Sequence, residues 1–291
     1  MTTLAFTKGH GTENDFVLLY DPDGAVALDA DAVRFLCDRR AGIGGDGVIR
    51  AVRAGSIDAG GELDQQTWFM DYWNSDGTTS EMCGNGARVF GAFLEAEASA
   101  DLSAGLDFGT RGGPRTVTAL GDGRYAIGMG PHRVGDASDG FDSEVAARGL
   151  DPVRPALSVD LGNPHNVVAL ADISELEALD LTVAPQVHPV PPLGTNVEFA
   201  VALGFENVDG ETRGRVRMRV HERGSGETRS CGTGACAVAL AMRAWAGPGA
   251  PDTWDIEVPG GEVTVRITDA TSVLEGPAVL VATGTVEMPA A

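Results

Sequence analysis

The sequence predicts an α+β fold built as two pseudo-symmetric, duplicated domains. Its 291 residues are 43% hydrophobic, enough to bury a substantial core, and a chain of this length suits two domains better than one. The second observation is internal repetition. Cys83-Gly84-Asn85-Gly86-Ala87 in the first half reads against Cys231-Gly232-Thr233-Gly234-Ala235 in the second, 148 residues later. Upstream, at nearly the same spacing, Met70 faces Met218, Asn74 faces Glu222, Asn14 faces Asn163, and Gly45-Asp46-Gly47-Val48 faces Gly194-Thr195-Asn196-Val197. One shared pentapeptide would be weak. Landmarks repeated in order and in near-constant register argue for duplication of a single domain, and two copies are expected to meet across a pseudo-twofold cleft.

The elements follow in chain order. Phe16–Tyr20, Val48–Val52, Asn166–Leu170, Arg215–Val220 and Glu262–Ile267 are short, alternating or β-branched runs, mostly bounded by turn formers, as strands should be. Each cysteine-glycine turn leads into a stretch where Ala, Leu, Phe and Met recur at helical spacing, Ala87–Ala98 and Ala235–Ala246, so each cysteine is placed at a helix N-terminus. Residues 109–115, 131–142 and 185–194 carry turn residues and little periodicity, and the first domain boundary is expected near residue 120. Gly42, Gly44 and Gly47 satisfy G-x-G-x-x-G, but a helix precedes them and a strand follows, the reverse of the dinucleotide-binding order. They are read as a turn. Cys37 lies beside Val33 and Leu36 on the apolar face of that helix and Cys236 lies within the later one, so both are read as packing.

Composition excludes several classes. A net charge of -21, from 42 acidic and 21 basic residues, repels phosphate backbones and anionic membranes, so neither nucleic acid nor membrane is an expected partner. No run approaches the ~20 apolar residues of a membrane span, and residues 1–11 lack the apolar core of a signal peptide, so a cytoplasmic location is expected. Four cysteines are too few for a disulfide scaffold. Cys231 and Cys236 lack the paired spacing of a zinc site, so no metal is expected. The one lysine, Lys8, sits in no Schiff-base-like context, so amino-acid chemistry here is expected to run without pyridoxal phosphate or any other cofactor.

What remains is thiol chemistry. A helix N-terminus offers N–H groups and partial positive charge, which lower a thiol's pKa and also hold a carboxylate. Moving an α-proton from one face of an amino acid to the other requires an acid and a base flanking the carbon. One thiol per duplicated domain supplies that pair. The glycines, without Cβ, are expected to let backbone amides approach a carboxylate that gains charge as the carbanion forms. To a substrate with a second charged end, Arg223 would offer a fork for a carboxylate, Glu222 an acceptor for an ammonium, and the asparagines a partner for either.

Lys8–Phe16, Cys37–Gly44, Asn74–Asp76, Met82–Ala87, Gly162–His165, Thr195–Phe199 and His221–Gly224 through Cys231–Gly234 together resemble the diaminopimelate epimerase family, in that family's order and over most of the chain. The resemblance implies a mixed or antiparallel sheet wrapped around a central helix in each domain. It also implies a first domain of residues 1–119, rejoined by a C-terminal strand over 277–291, and a second domain of residues 120–276. The implied reaction interconverts LL- and meso-diaminopimelate, serving lysine synthesis and cell-wall precursor supply. Residue by residue, Cys83 and Cys231 correspond to the catalytic pair. Gly84, Asn85, Gly232 and Thr233 match positions that bind the reacting carboxylate through backbone N–H groups. Asn14, Asn74, Asn163, Asn196, Glu222 and Arg223 match the substrate-binding set, and His165 a supporting residue that tunes the thiols. Relatives are often dimers, so a homodimer is the implied assembly. Some relatives carry glutamine where this chain has Gly47, and a side-chain contact from that position is absent here.

Other readings fit less well. A proline or hydroxyproline racemase would use the same thiols but has no second charged end for Arg223 and Glu222. A phenazine-pathway isomerase is expected to lack the paired thiols. A thiol redox protein would usually show a local C-x-x-C, absent here, and a binding module needs no thiol pair.

Overall fold

The computed structural model describes residues 2–136, 138–269 and 271–289; Met1 and the last two residues of the expected strand over 277–291 lie outside them. The chain forms two compact units, residues 1–127 with 276–291, and residues 128–275.

The first unit begins with β1 (Thr3–Gly11), β2 (Asn14–Tyr20), α1 (Ala30–Cys37), β3 (Gly47–Arg53) and β4 (Trp68–Asn74). These are followed by α2 (Gly84–Ala98), β5 (Leu106–Phe108), β6 (Arg115–Gly121) and β7 (Arg124–Gly128). In α1, Asp29 accepts the Ala32 N–H as N-cap, while Val33, Leu36 and Cys37 bury one face against Val17, Leu19 and Val48. Gly42 and Gly44 lie in the turn between α1 and β3, and Gly47 opens the strand.

The second unit opens with β8 (Arg133–Val134), β9 (Ser143–Ala146), β10 (Arg154–Asp160), β11 (Pro164–Leu170), α3 (Ile173–Ala178) and β12 (Gln186–His188). A long hairpin of β13 (Asn196–Val208) and β14 (Glu211–Glu222) follows, then β15 (Gly226–Glu227), α4 (Gly232–Ala246), β16 (Thr253–Val258), β17 (Gly261–Ile267) and β18 (Ser272–Pro277). Its strands run β12-β9-β10-β11-β13-β14-β16-β17-β18, with β11–β13 and β14–β16 parallel and the rest antiparallel. The last strand, β19 (Val279–Glu287), returns to pair with β1, completing the first unit's sheet in the order β19-β1-β2-β3-β4, in which only β2–β3 is parallel.

Both sheets are therefore mixed, and each unit wraps its strands around one helix. Every residue of α2 from Gly84 to Leu94 is buried, and α4 is buried from Gly234 to Met242. Helices this rich in apolar residues on every side have to be enclosed, and the polar exceptions in α2, Asn85 and Arg88, donate hydrogen bonds to Asn14 and Thr12. α2 packs on β1, β2, β3, β4, β6 and β19, and α4 on β10, β11, β13, β14, β16 and β17. Both helices begin three residues before the expected Ala87 and Ala235, because the glycine turns are themselves the first helical turn.

Candidate active site

The two cysteines are the N-caps of the two central helices. Cys83 precedes α2 with φ -134° and ψ 119°, and its sulfur accepts the Gly86 N–H at 3.4 Å. Cys231 precedes α4 with φ -124° and ψ 115°, and its sulfur accepts the Gly234 N–H at 3.3 Å. The fourth helical amide bonds the cysteine carbonyl in both cases, Ala87 to Cys83 at 2.8 Å and Ala235 to Cys231 at 2.9 Å. Sulfur and carbonyl thus engage the third and fourth amides, and the first two belong to Gly84 and Asn85 in one unit and Gly232 and Thr233 in the other.

Beneath each third glycine the duplication has diverged. A Cβ on Gly86 would meet Ile49 Cδ1 at 2.9 Å and Met70 Cε at 3.0 Å, so that glycine serves close helix-to-sheet packing. A Cβ on Gly234 would lie 2.7 Å from Glu198 Oε1 and 3.2 Å from Cys231 Sγ. Where the first unit has Ile49 and Phe16, the second has Glu198 and His165, whose Oε1 and Nδ1 are 2.7 Å apart in full burial. These two glycines admit a neighbouring side chain from the sheet beneath the helix.

The remaining residues fall into small groups. In the first unit, the Asn14 Oδ1 accepts the Cys83 thiol at 3.6 Å and the Asn85 amide at 3.3 Å, while its Nδ2 donates to Asp46 at 2.7 Å. Asn74, at the end of β4, donates to Thr78 Oγ1 at 3.1 Å. In the second unit, the Thr233 hydroxyl lies 3.5 Å from Cys231 Sγ and accepts the Asn163 amide at 3.3 Å. The Glu222 carboxylate takes hydrogen bonds from Thr228 and from Cys231. Asn196 donates to the Pro164 carbonyl at 3.0 Å and accepts the Arg223 backbone N–H at 2.9 Å, and Arg223 Nη1 donates to the Leu193 carbonyl at 2.8 Å. A cavity of about 670 Å³ in this unit is lined by Gly194, Thr195, His188, His221 and Arg223, with neither Cys231 nor Glu222 on its wall.

Electrostatics at Cys231 reverse the sequence-based expectation. Burial pushes this thiol well above its ordinary pKa, and the Glu222 and Glu198 carboxylates push it further; the Thr233 hydroxyl and the Gly234 N–H pull downward and are outweighed. Burial also raises the Glu222 carboxyl, against the hydrogen bonds from Thr228 and Cys231. A helix N-terminus favours a thiolate, but it does not overcome desolvation beside two acids. Burial and the two carboxylates thus favour the thiol form of Cys231 over the thiolate.

Three neighbours of these residues escaped the sequence reading: Glu198, Asp46 and Thr228. Glu198 carried a usable signal, an acid inside the apolar run Asn196–Val201. Gly47 also gains a reason, since a Cβ there would fall 2.4 Å from the Trp73 carbonyl oxygen and 2.7 Å from Tyr72 Cε2. No side chain fits at that position on this backbone.

Among solved structures the fold is shared with a phenazine biosynthesis protein of the PhzF family from Bacillus anthracis, at TM-score 0.69 and 14% identity over 99% of this chain and 100% of the other. It is shared also with a hydroxyproline epimerase from Agrobacterium vitis, at TM-score 0.62 and 14% identity over 98% and 92%. At the sequence level, the family description "Diaminopimelate epimerase" matches residues 6–134 and 157–288. Proteins named diaminopimelate epimerase from Streptomyces coelicolor and Thermobifida fusca are 45% and 43% identical, covering 97% and 99% of this chain and 95% and 99% of their own lengths. The chain belongs to the diaminopimelate epimerase family. No helix among the described residues is long and apolar enough to cross a membrane.

Proposed function

We propose that this protein interconverts LL- and meso-diaminopimelate without a cofactor, Cys83 and Cys231 exchanging a proton with opposite faces of one α-carbon. The observation that carries the reading is the pair of thiol N-caps in near-identical backbone geometry, in a chain of this family. One sulfur, as thiolate, removes the α-proton while the other, as thiol, delivers a proton from the opposite side. The N–H groups of Gly84, Asn85, Gly232 and Thr233 hold the reacting carboxylate, where charge grows as the carbanion forms. Asn14, Asn74, Asn163, Asn196, Glu222 and Arg223 bind the rest of the substrate, and His165 supports Cys231. The product would feed lysine and peptidoglycan precursor synthesis, in the cytoplasm, with a homodimer as the assembly.

Proton NMR of LL-diaminopimelate in heavy water tests this. Loss of the α-proton signal with appearance of the meso isomer, the latter abolished in Cys83→Ala and Cys231→Ala, is the expected result. Exchange of L-proline instead would remove the substrate assignment, and exchange of neither by reduced, folded protein would remove the thiol mechanism.

A further inference from the structure

The geometry points to Asp46 as a positioning residue that sets which end of the Asn14 amide faces the Cys83 thiol; the inference rests on the reading of Cys83 as an acid/base group. Asp46 lies immediately before β3, and its backbone joins two separate segments, its N–H donating to the Asp15 carbonyl at 2.7 Å and its carbonyl accepting the Ser75 N–H at 3.0 Å. Ser75 directly follows Asn74. The side chain receives three donors: Oδ2 takes the Asn14 Nδ2 at 2.7 Å and the Asp15 N–H at 3.2 Å, and Oδ1 takes Arg39 Nη2 at 2.8 Å. Arg39 in turn clamps both oxygens of Asp15, at 2.7 and 2.9 Å, and Lys8 donates to Asp15 at 2.7 Å.

Only an acceptor on both oxygens satisfies that arrangement, which is a carboxylate and not an amide. With its N–H₂ end committed to Asp46, Asn14 turns its oxygen toward Cys83 and Asn85. An oxygen facing the sulfur accepts S–H and favours the thiol. An amide turned the other way would donate N–H and favour the thiolate. Asp46 thereby biases the protonation of a sulfur that it does not touch. The charged groups around the cluster are Lys8 on β1, Asp15 on β2, Arg39 after α1 and Asp46 itself.

The test is Asp46→Asn. An asparagine at 46 must point an N–H₂ either at Arg39 or at Asn14, and the second choice flips the Asn14 amide. Iodoacetamide labelling of Cys83, located by mass spectrometry and followed against pH, should shift its midpoint downward by roughly one unit. Because the variant also loses a charge, the titration is repeated at about 1 M salt, where the Debye length is only about 3 Å. A shift that survives salt is the expected result, together with a kcat lowered on the order of 10-fold or more and a KM changed far less. A midpoint unmoved in both folded Asp46→Asn and folded Asp46→Ala, or a shift that salt abolishes, overturns the proposal. Should Asp46→Asn fail to fold by circular dichroism, Asp46→Ala, which frees the Asn14 amide, is judged by the same two criteria. Labelling needs no substrate, so a parent protein that fails to epimerise diaminopimelate removes the function while leaving this orientation effect separately measurable.

Discussion

His165 Nδ1 and Glu198 Oε1 lie 2.7 Å apart, both side chains fully buried, in the places where the duplicated first unit has Phe16 and Ile49. One copy of the domain thus supports its central helix on an apolar pair and the other on a polar pair. Removing a single partner from a buried polar pair typically destabilises by about 3–5 kcal/mol, whereas exchanging both for well-packed apolar groups is neutral or stabilising by about 1–4 kcal/mol. Glu198→Ile alone should therefore lower stability in urea, and Glu198→Ile with His165→Phe should recover it. If the double variant is as unstable as the single one, the second unit cannot tolerate the first unit's packing.

Gly234 separates the Glu198 carboxylate from the Cys231 sulfur, and an added Cβ would meet them at 2.7 and 3.2 Å. Gly234→Ala should displace one or both and reduce epimerase activity by about 100-fold or more, since small misplacements of reacting groups are that damaging. Gly86→Ala presses only on Ile49 and Met70, and its effect should appear chiefly as lost stability. Comparing kcat and the urea midpoint for the two variants checks the contrast; equal loss of activity at unchanged stability in both would contradict it.

The Glu222 carboxylate raises the Cys231 pKa by charge repulsion, second only to burial. Glu222→Gln removes that charge, so more thiolate should be present at any given pH and alkylation of Cys231 should rise at lower pH than in the parent. Activity should nonetheless fall, because Glu222 is also proposed to bind substrate. A Cys231 alkylation profile that stays put or moves upward would show that the carboxylate does not govern this thiol.

Cys37 is buried beside Val33 and Leu36, and burial pushes its pKa from 9.0 up to about 12. Between those values the unfolded chain gives up this proton while the folded chain keeps it. The native state then holds the extra proton, and stability falls as pH rises, by up to about 1.4 kcal/mol per pH unit. Well below pH 9 this group contributes no slope. Urea unfolding of the parent and of Cys37→Ala at pH 8 to 10.5 should show a shallower decline in the variant, and parallel curves would argue against a buried, protonated thiol.

Much of the fold was legible because its signals are local. A cysteine followed by glycines and then a helical run of small apolar residues specifies a capped helix wherever it occurs, and its recurrence 148 residues later exposed the duplication. The strands at Phe16–Tyr20, Val48–Val52 and Arg215–Val220 were visible for the same reason, as was the packing role of Cys37. Local signals also had limits. The helix starts were read three residues late, because glycine is a poor helix former by propensity and only the cap geometry reveals that the turn is already helical.

What the sequence determined by itself is the α+β duplicated fold, the family, and the placement of one cysteine at the head of each central helix. What only the tertiary structure decided is the environment of each sulfur. Asp46 reaches Asn14, and Glu198 reaches His165, through strand pairing between segments some 30 residues apart in sequence, and Glu198 meets Gly234 where α4 packs on β13. That pairing is why the helix-terminus rule misjudged Cys231. The cap is a property of four consecutive residues, whereas a thiol's protonation depends on every charge nearby and on the water excluded around it, and those are set only when distant strands come together.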